Sequence, residues 1–508
     1  MSDRATPSGT AATASHRRRA PRSFGSALGL TVLGAVVPGT AFLAAGRRRL
    51  GVLTLLVFLL VVGGAAWLAT AGRQIALRAS VDTGWLLGGA GVVAVLALLW
   101  IVVVVSGYRM LLPAGTSRGR HVLGAVVVGA LVLAVAAPAV LAGQLAATQR
   151  DLIAGVFDDD GRSATVDDTA DPFGAKERVN VLLLGGDGGV DREGVRTDTV
   201  IVASIDTATG DTTLFSLPRN LEDLPFPADS PLAEVYPHGF DAGSESESLL
   251  NAVYRNGPAE YPDILGPTDN PGADFLKLGV GEALGLAIDY YVLVNLDGFS
   301  RLVDALGGIT VNVNYYVPVG GDPGTGSLPD AYIPPGPDQE MDGATALAFA
   351  RGRFGLTDYD RMARQRCTID AIIDAADPVT LLRQYQELAA TTQDIVSTDI
   401  PRSALDNFVD LAFLVQEAEV RSVVFDVSLI EPANPDYDRI RQVVQDAIDP
   451  APAPPPSSED TPEPATPAEA EAAPAAEDPA ADVGDACAYD PAQAQEARAV
   501  GEPPTKNS

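Results

Sequence analysis

Three apolar stretches near the start of the chain, 51–71, 85–108 and 122–144, constrain it more than any other feature. Each reaches the roughly 20 residues that a helix needs to cross a bilayer. A fourth apolar run, 27–46, is interrupted at its middle by Pro38-Gly39. Cytoplasmic loops are enriched in Arg and Lys. Arginines cluster at Arg17–Arg19 with Arg22, at Arg47–Arg49, and at Arg109, Arg118 and Arg120. Placing all three clusters inside makes 27–46 a re-entrant or interfacial hairpin followed by three spans. Everything after about residue 147 is then outside. Four spans with an external N-terminus also put the second half outside, but leave Arg17–Arg22 on the wrong face. A cleaved leader is not expected, because further spans follow and no small-residue cleavage pattern stands out. The chain reads as a multi-pass membrane protein with a basic cytoplasmic end (1–24), a membrane region (25–147) and a large extracytoplasmic part.

Charge divides the chain at the same place. Residues 1–150 hold fourteen Arg, no Lys and two acids, Asp3 and Asp82, a net of +12. The remaining 21 basic and 64 acidic residues give −43. So acidic a second half excludes nucleic acid as its partner, since a phosphate backbone needs clustered positive charge. Histidine occurs only at 16, 121 and 238, which leaves little material for Ser–His or Cys–His catalysis. Cys367 and Cys487 belong to no CxxC pair, which excludes the usual thiolate zinc sites and redox dithiols. In an oxidising compartment they would form one disulfide tying the tail to the folded domain; otherwise they are two unpaired thiols.

Residues 148–177 are polar and lack hydrophobic periodicity, as in a linker. A domain over 178–432 follows. Strands are expected at 179–184, 199–205, 212–217, 290–296, 309–313 and 421–427, the second and third joined by a turn at Thr209-Gly210-Asp211. Helices are expected at 298–306, capped by Asp297 and ended by Gly307-Gly308, and at 344–350, 358–376 and 403–417. This mixture indicates an α/β fold, a three-layer α/β/α sandwich around a central mixed sheet. From 433 the chain reads as a tail; over about 450–482 its Pro, Ala, Glu and Asp cannot bury enough apolar area to order.

Charged residues gather where the apolar runs end. Asp187 follows the first strand; Arg196 and Asp198 precede the second; Arg219 follows the third. Arg351 and Arg353 close the helix at 344–350, and Arg361, Arg364 and Gln365 fall on one helical face at i, i+3 and i+4. Strand ends are where α/β sheets form ligand crevices. Converging arginines repel unless a polyanion lies between them, and guanidinium is the group that grips phosphate bidentately. Carboxylates suit Mg²⁺, which binds through one or two of them plus substrate phosphates. Taken singly, each of these residues also fits a solvated surface pair, with Arg361 and Arg364 matched to Asp358 and Asp360. The glycines at 185–189 lack the patterns of a nucleotide loop.

In type and order these segments resemble the LytR–CpsA–Psr family of cell-wall glycopolymer phosphotransferases, in the wording of its actinobacterial members. The motifs are Gly-x-Asp at Asp187, R-[ST]-D-T at 196–199, S-[IL]-P-R at 216–219, Leu250-Asn251-Ala252-Val253-Tyr254, Asp289-Tyr290-Tyr291 leading into 303–308, Met341-Asp342-Gly343-Ala344, and A-R-x-R…D-x-x-R-Q over 350–365. The resemblance implies that Asp187 and Asp198 bind Mg²⁺ and that Arg196, Arg219, Arg351, Arg353 and Arg361, with Gln365, hold a pyrophosphate; Arg364 is a further substrate-binding candidate. It also implies that Asp198 helps deprotonate the acceptor, with Arg196 and Arg219 beside it in the catalytic group. A polyprenyl chain would lie in an apolar tunnel, although Phe215, Val292, Val294, Phe299 and Leu302 fit an ordinary core equally well. The partners implied are a polyprenyl-pyrophosphate-linked glycopolymer, arabinogalactan or a related polymer, a peptidoglycan acceptor and the membrane. The sequence departs from the family in having Gly188-Gly189 after the first Asp and Asn220 after Arg219. A lipid-binding regulator or scaffold, or a polyprenyl-pyrophosphate hydrolase, would use the same arginines.

Overall fold

A computed structural model describes residues 23–113, 115–157, 162–166, 173, 176–186, 195–376, 396–449 and 480–506. They divide into two units, Met1–Ala76 with Gly84–Ala146, and Leu77–Thr83 with Ala147–Ser508.

The first unit is helical: α1 (Phe24–Val36), α2 (Thr40–Ala44), α3 (Arg48–Ala69), most of α5 (Thr83–Leu111) and the first part of α6 (Arg118–Val156), with α4 (Arg73–Val81) lying across the division. Three of these, α3, α5 and α6, are long and apolar enough to cross a membrane. At 13 residues α1 extends only about 20 Å, short of a roughly 30 Å hydrocarbon core. It stops at the Pro38-Gly39 break. There Gly39 has φ +102°, and a Cβ on it would stand 2.4 Å from Gly51 O on α3. Only glycine permits that turn and that approach.

The second unit is built on a seven-stranded mixed sheet. Its strands are β1 (Arg178–Gly186), β2 (Thr197–Asp206), β3 (Thr212–Leu217), β4 (Tyr290–Asn295), β9 (Val396–Thr398), β10 (Val420–Val424) and β11 (Ala481–Asp482), in the order β11-β10-β3-β2-β1-β4-β9. Alternation along the strands sends side chains to two faces. On one face Leu182, Val200, Val202, Phe215 and Val423 pack against α9 (Leu250–Glu260), α10 (Pro271–Leu284) and α15 (Tyr437–Ile448). On the other, Ile201, Ala203 and Leu214 meet Ile369 of α13 (Asp358–Ala375), and Tyr290 stacks edge-on with Phe408 of α14 (Leu405–Glu417). The expected three-layer sandwich is the fold. A smaller core around Val303, Val311, Val317 and Phe349 joins α11 (Leu296–Leu306), α12 (Gly343–Arg351) and two short sheets, β5 (Ile309–Val313) with β8 (Gly336–Met341) and β6 (Val317–Val319) with β7 (Ala331–Ile333).

Several boundaries differ from the sequence reading. The cap of α11 is Asn295, whose side chain accepts from Gly298 N; Asp297 stands inside the first turn. The linker is not featureless, because α6 runs to Val156 and Ser163, Ala164 and Thr165 all donate to the buried Asp274. The tail does not begin at 433: α15 inserts Ile440, Val443, Val444 and Ala447 into the main core, at the i, i+3, i+4, i+7 spacing of an amphipathic helix. Further on, β11 pairs with β10, and Cys487 is disulfide-bonded to Cys367 of α13 with Cα atoms 5.5 Å apart. The following residues stay on the domain through Asn312 and Asn314, which donate to the carbonyls of Cys487 and Ala488, and through Lys506, which pairs with Asp330. Residues 450–479, expected to be disordered, lie outside the described residues.

Candidate active site

Sheet register creates the central contact of the site. Val200 on β2 pairs with Leu217 on β3, and continuing that antiparallel register two residues outward sets Asp198 opposite Arg219. Arg219 Nη1 donates to Asp198 Oδ1 at 2.8 Å. Pro218, just past the strand, turns the chain so that the Arg219 carbonyl accepts from Asn251 N at the start of α9. Asn251 Nδ2 in turn donates to Asp198 Oδ1 at 3.3 Å.

The other wall is α13. Thr357 and Asp360 close its first turn as a capping box, so Asp360 is occupied with the backbone. Asp358 faces inward instead. It accepts from Arg361 Nη2 at 2.9 Å and lies 3.4 Å from Arg219 Nε. Asp198, Arg219, Asp358 and Arg361 thus alternate in sign as one chain of charge. Arg361 is only 4% exposed. Burial pushes its guanidinium down from its ordinary value, chiefly opposed by Asp358, with Arg219 adding to the lowering and Asp198 countering it. Burial also disfavours charge on Asp198, but the Arg219 hydrogen bond and charge outweigh it, helped by Arg361 and Asn251. Its carboxyl is therefore held below the usual range.

The remaining predicted residues divide. Arg196, just before β2 and two positions before Asp198, donates to Glu247 Oε1 at 2.6 Å. Arg351 and Arg353 stand at and just after the end of α12, the first exposed and the second half-buried; Gln365 is half-buried on α13. Arg364 has a different job from the one expected. Buried to 4% exposure, it donates to the carbonyls of Phe349 and Gly352 and to the Tyr315 hydroxyl, so it caps α12 and fixes the turn that carries Arg353. Sharing a helical face with Arg361 did not give it the same target. Asp187 lies outside the described residues, as do Gly188, Gly189 and Arg192; Gly186, which precedes Asp187, pairs with Thr197 beside Asp198.

Glu247 and Arg255 were not named from the sequence, while Asn251 figured only within the 250–254 motif and Asp358 only as a surface partner of Arg361. Asp358 had a visible signal, its i, i+3 spacing to Arg361. Glu247, in a run of Ser and Glu, had none.

The site also fits a hard cation. Asp198 offers a carboxylate, and the neighbouring Asn251 Oδ1 is buried and finds no donor among the described residues. Among the described residues no cluster of three acidic, histidine or cysteine side chains surrounds a metal position, so such an ion would need phosphate oxygens to complete its shell.

Comparison with known proteins places the chain. It belongs to the LytR_cpsA_psr family, whose model matches residues 153–442. It is 31% identical over 231 residues to an Enterococcus faecalis protein named polyisoprenyl-teichoic acid–peptidoglycan teichoic acid transferase TagU, covering 44% of this chain and 62% of that one. It is 32% identical over 212 residues to the probable cell wall biosynthesis protein LcpB of Corynebacterium glutamicum, covering 41% of each. The chain thus spans less than two thirds of the length of either relative. Among solved structures, B. subtilis TagV is similar at 23% identity and a TM-score of 0.37, over 53% of this chain and 97% of that one.

Proposed function

We propose that the chain is an Mg²⁺-dependent phosphotransferase that moves a glycopolymer, of arabinogalactan type, from a polyprenyl pyrophosphate to peptidoglycan as a phosphodiester. The alternating Asp198–Arg219–Asp358–Arg361 network at the sheet's end carries this reading, together with the names of the relatives. A sugar hydroxyl attacks the phosphorus next to the polymer. The bond from that phosphorus to the bridging oxygen breaks, polyprenyl phosphate departs with the electron pair, and the hydroxyl proton passes to Asp198. Positioning and charge neutralisation matter more than covalent help in such a transfer. Arg219 and Arg361 neutralise the phosphoryl oxygens. Phosphate drawing Arg219 away from Asp198 leaves a carboxylate oxygen free to take the acceptor's proton. Mg²⁺, held by Asp198 and Asp187 with the phosphates, would supply further neutralisation of charge. The partly exposed Val292 and Val294, on one face of β4, are where we expect the polyprenyl chain to begin.

The orientation belongs to the same proposal: membrane-anchored and multi-pass, with the domain outside. Within the second unit Arg78 makes a bidentate pair with Asp410, at 2.6 and 2.5 Å, which supports a location of 77–83 on the domain's side of the membrane. The test is Mg²⁺-dependent release of polyprenyl phosphate by the full chain in nanodiscs, with and without a peptidoglycan acceptor. Release that requires the acceptor is expected. Acceptor-independent release would replace the reading with hydrolysis, and lipid binding without release would replace it with a scaffold.

A further inference from the structure

Helix α9 carries two polar side chains a turn apart that serve the segment around Asp198, one directly and one through Glu247. Asn251 of α9 contacts Asp198; Arg255, four residues on, reaches Glu247, which also holds Arg196. Arg196 and Asp198 are the matching pair on the strand side. Glu247 is fully engaged. Its Oε1 accepts from Arg196, and its Oε2 accepts from Arg255 and, at 2.8 Å, from Asn256 Nδ2. Asn256 Nδ2 also bonds the Glu247 carbonyl at 2.8 Å, and Arg255 Nε donates to Asn256 Oδ1 at 2.9 Å. Arg196 adds a bond to the Ser246 carbonyl at 3.4 Å. The side chains of Arg196, Arg255 and Glu247 are 28%, 33% and 37% exposed. Ion pairs that open to solvent stabilise a fold little, so three donors on one carboxylate do little for stability. They do fix where one guanidinium points, and long arginine side chains are otherwise rotamer-rich.

We propose that Glu247 is a positioning residue for Arg196, clamped from behind by Arg255 and Asn256, so that Arg196 meets the donor pyrophosphate preorganised. The inference rests on the phosphotransferase reading, which makes Arg196 a phosphate ligand. An anchor of this kind acts only through the group it holds. Its loss therefore matters when Arg196 is present and is silent when Arg196 is gone, the signature of a coupled pair in a double-mutant cycle.

The experiment measures binding of a short-chain polyprenyl pyrophosphate, with Mg²⁺, to the full chain in nanodiscs, and the kcat/KM of transfer. The proteins are wild type, Glu247→Ala, Glu247→Gln, Arg255→Ala, Arg196→Ala and the Arg196→Ala/Glu247→Ala double variant. Arg196→Ala should lower kcat/KM by about 10²-fold, as removal of one positioned donor does. Glu247→Ala should lower it about tenfold and weaken binding in the same sense, at an unchanged melting temperature. Glu247→Gln, which keeps an acceptor oxygen, should restore part of the loss, and Arg255→Ala should give a smaller loss. The double variant should match Arg196→Ala alone. Effects that multiply in the double variant overturn the proposal, as does Glu247→Ala with wild-type binding and turnover. A wild type that binds the diphosphate but transfers nothing leaves the binding cycle to decide the role of Glu247 while the transferase reading fails. A wild type that binds no diphosphate overturns both.

Discussion

At the scale of the residue, the site is a neutralised array waiting for a competitor. Asp198 and Asp358 compensate Arg219 and Arg361, and a diphosphate would bind by displacing carboxylates from guanidinium groups. Arg219→Ala and Asp198→Ala should each cut transfer by about 10²–10³-fold, while the melting temperature stays close to wild type because both side chains are partly exposed. Full activity in either folded variant would remove it from the site. Asp198 also gives a pH signature. Its folded pKa is depressed, so its contribution to stability is present above the unfolded value and lost as pH falls through the lower folded one. Wild type should therefore lose stability below about pH 4, and Asp198→Asn should lose less over that range in thermal melts. The sequence made Asp198, Arg219 and Arg361 legible because strand ends and helical spacing are local patterns. What escaped were the long-range contacts, Asp358 with Arg219 and Glu247 with Arg196, because these partners lie more than 40 residues apart and no local period encodes that.

Elements matter through how they are pinned. Lys277 of α10, 2% exposed, donates to Asp399 Oδ2 at 2.6 Å and to the Asp289 carbonyl at 2.8 Å, while Asp399 Oδ1 accepts from Tyr291 N. This ion pair joins α10, β4 and the segment after β9 from inside the protein. Breaking a buried pair leaves a charge without its partner, which costs about 3–5 kcal/mol. Lys277→Met should cost that much in denaturant unfolding, and adding Asp399→Leu should recover much of it. A cost under about 1 kcal/mol would show that Asp399 finds solvent. Arg364→Ala should destabilise the end of α12 and lower transfer together, because the turn it caps carries Arg353; a stability loss with transfer untouched would separate Arg353 from the site. Strands β1 to β5 and β10 and helices α11 to α14 were readable from period and punctuation, and β3 and β5 fall at their expected residues, whereas α9 and α10, which cover one face of the sheet, were not expected. What composition hid was α15, whose apolar face sits just before a Pro- and Ala-rich stretch that dominates any window placed there.

For the whole molecule, the expected tail is partly a structural member. The Cys367–Cys487 disulfide closes a sequence separation of 120 residues and holds the returning segment on α13, the helix that carries Arg361. Removing a native disulfide that closes a long loop typically costs roughly 2–5 kcal/mol. Cys487→Ser should therefore lower the melting temperature, and reductant should lower that of wild type but not of the variant; no effect of either would show that packing alone holds the segment. The two-residue strand β11 does something else as well, since it lies along β10 where the sheet would otherwise end. An uncovered strand presents a row of backbone donors and acceptors that another chain can pair with. Because the covalent tether holds β11 in place, reduction is expected to favour pairing of neighbouring copies along β10, which size-exclusion chromatography with and without reductant would read.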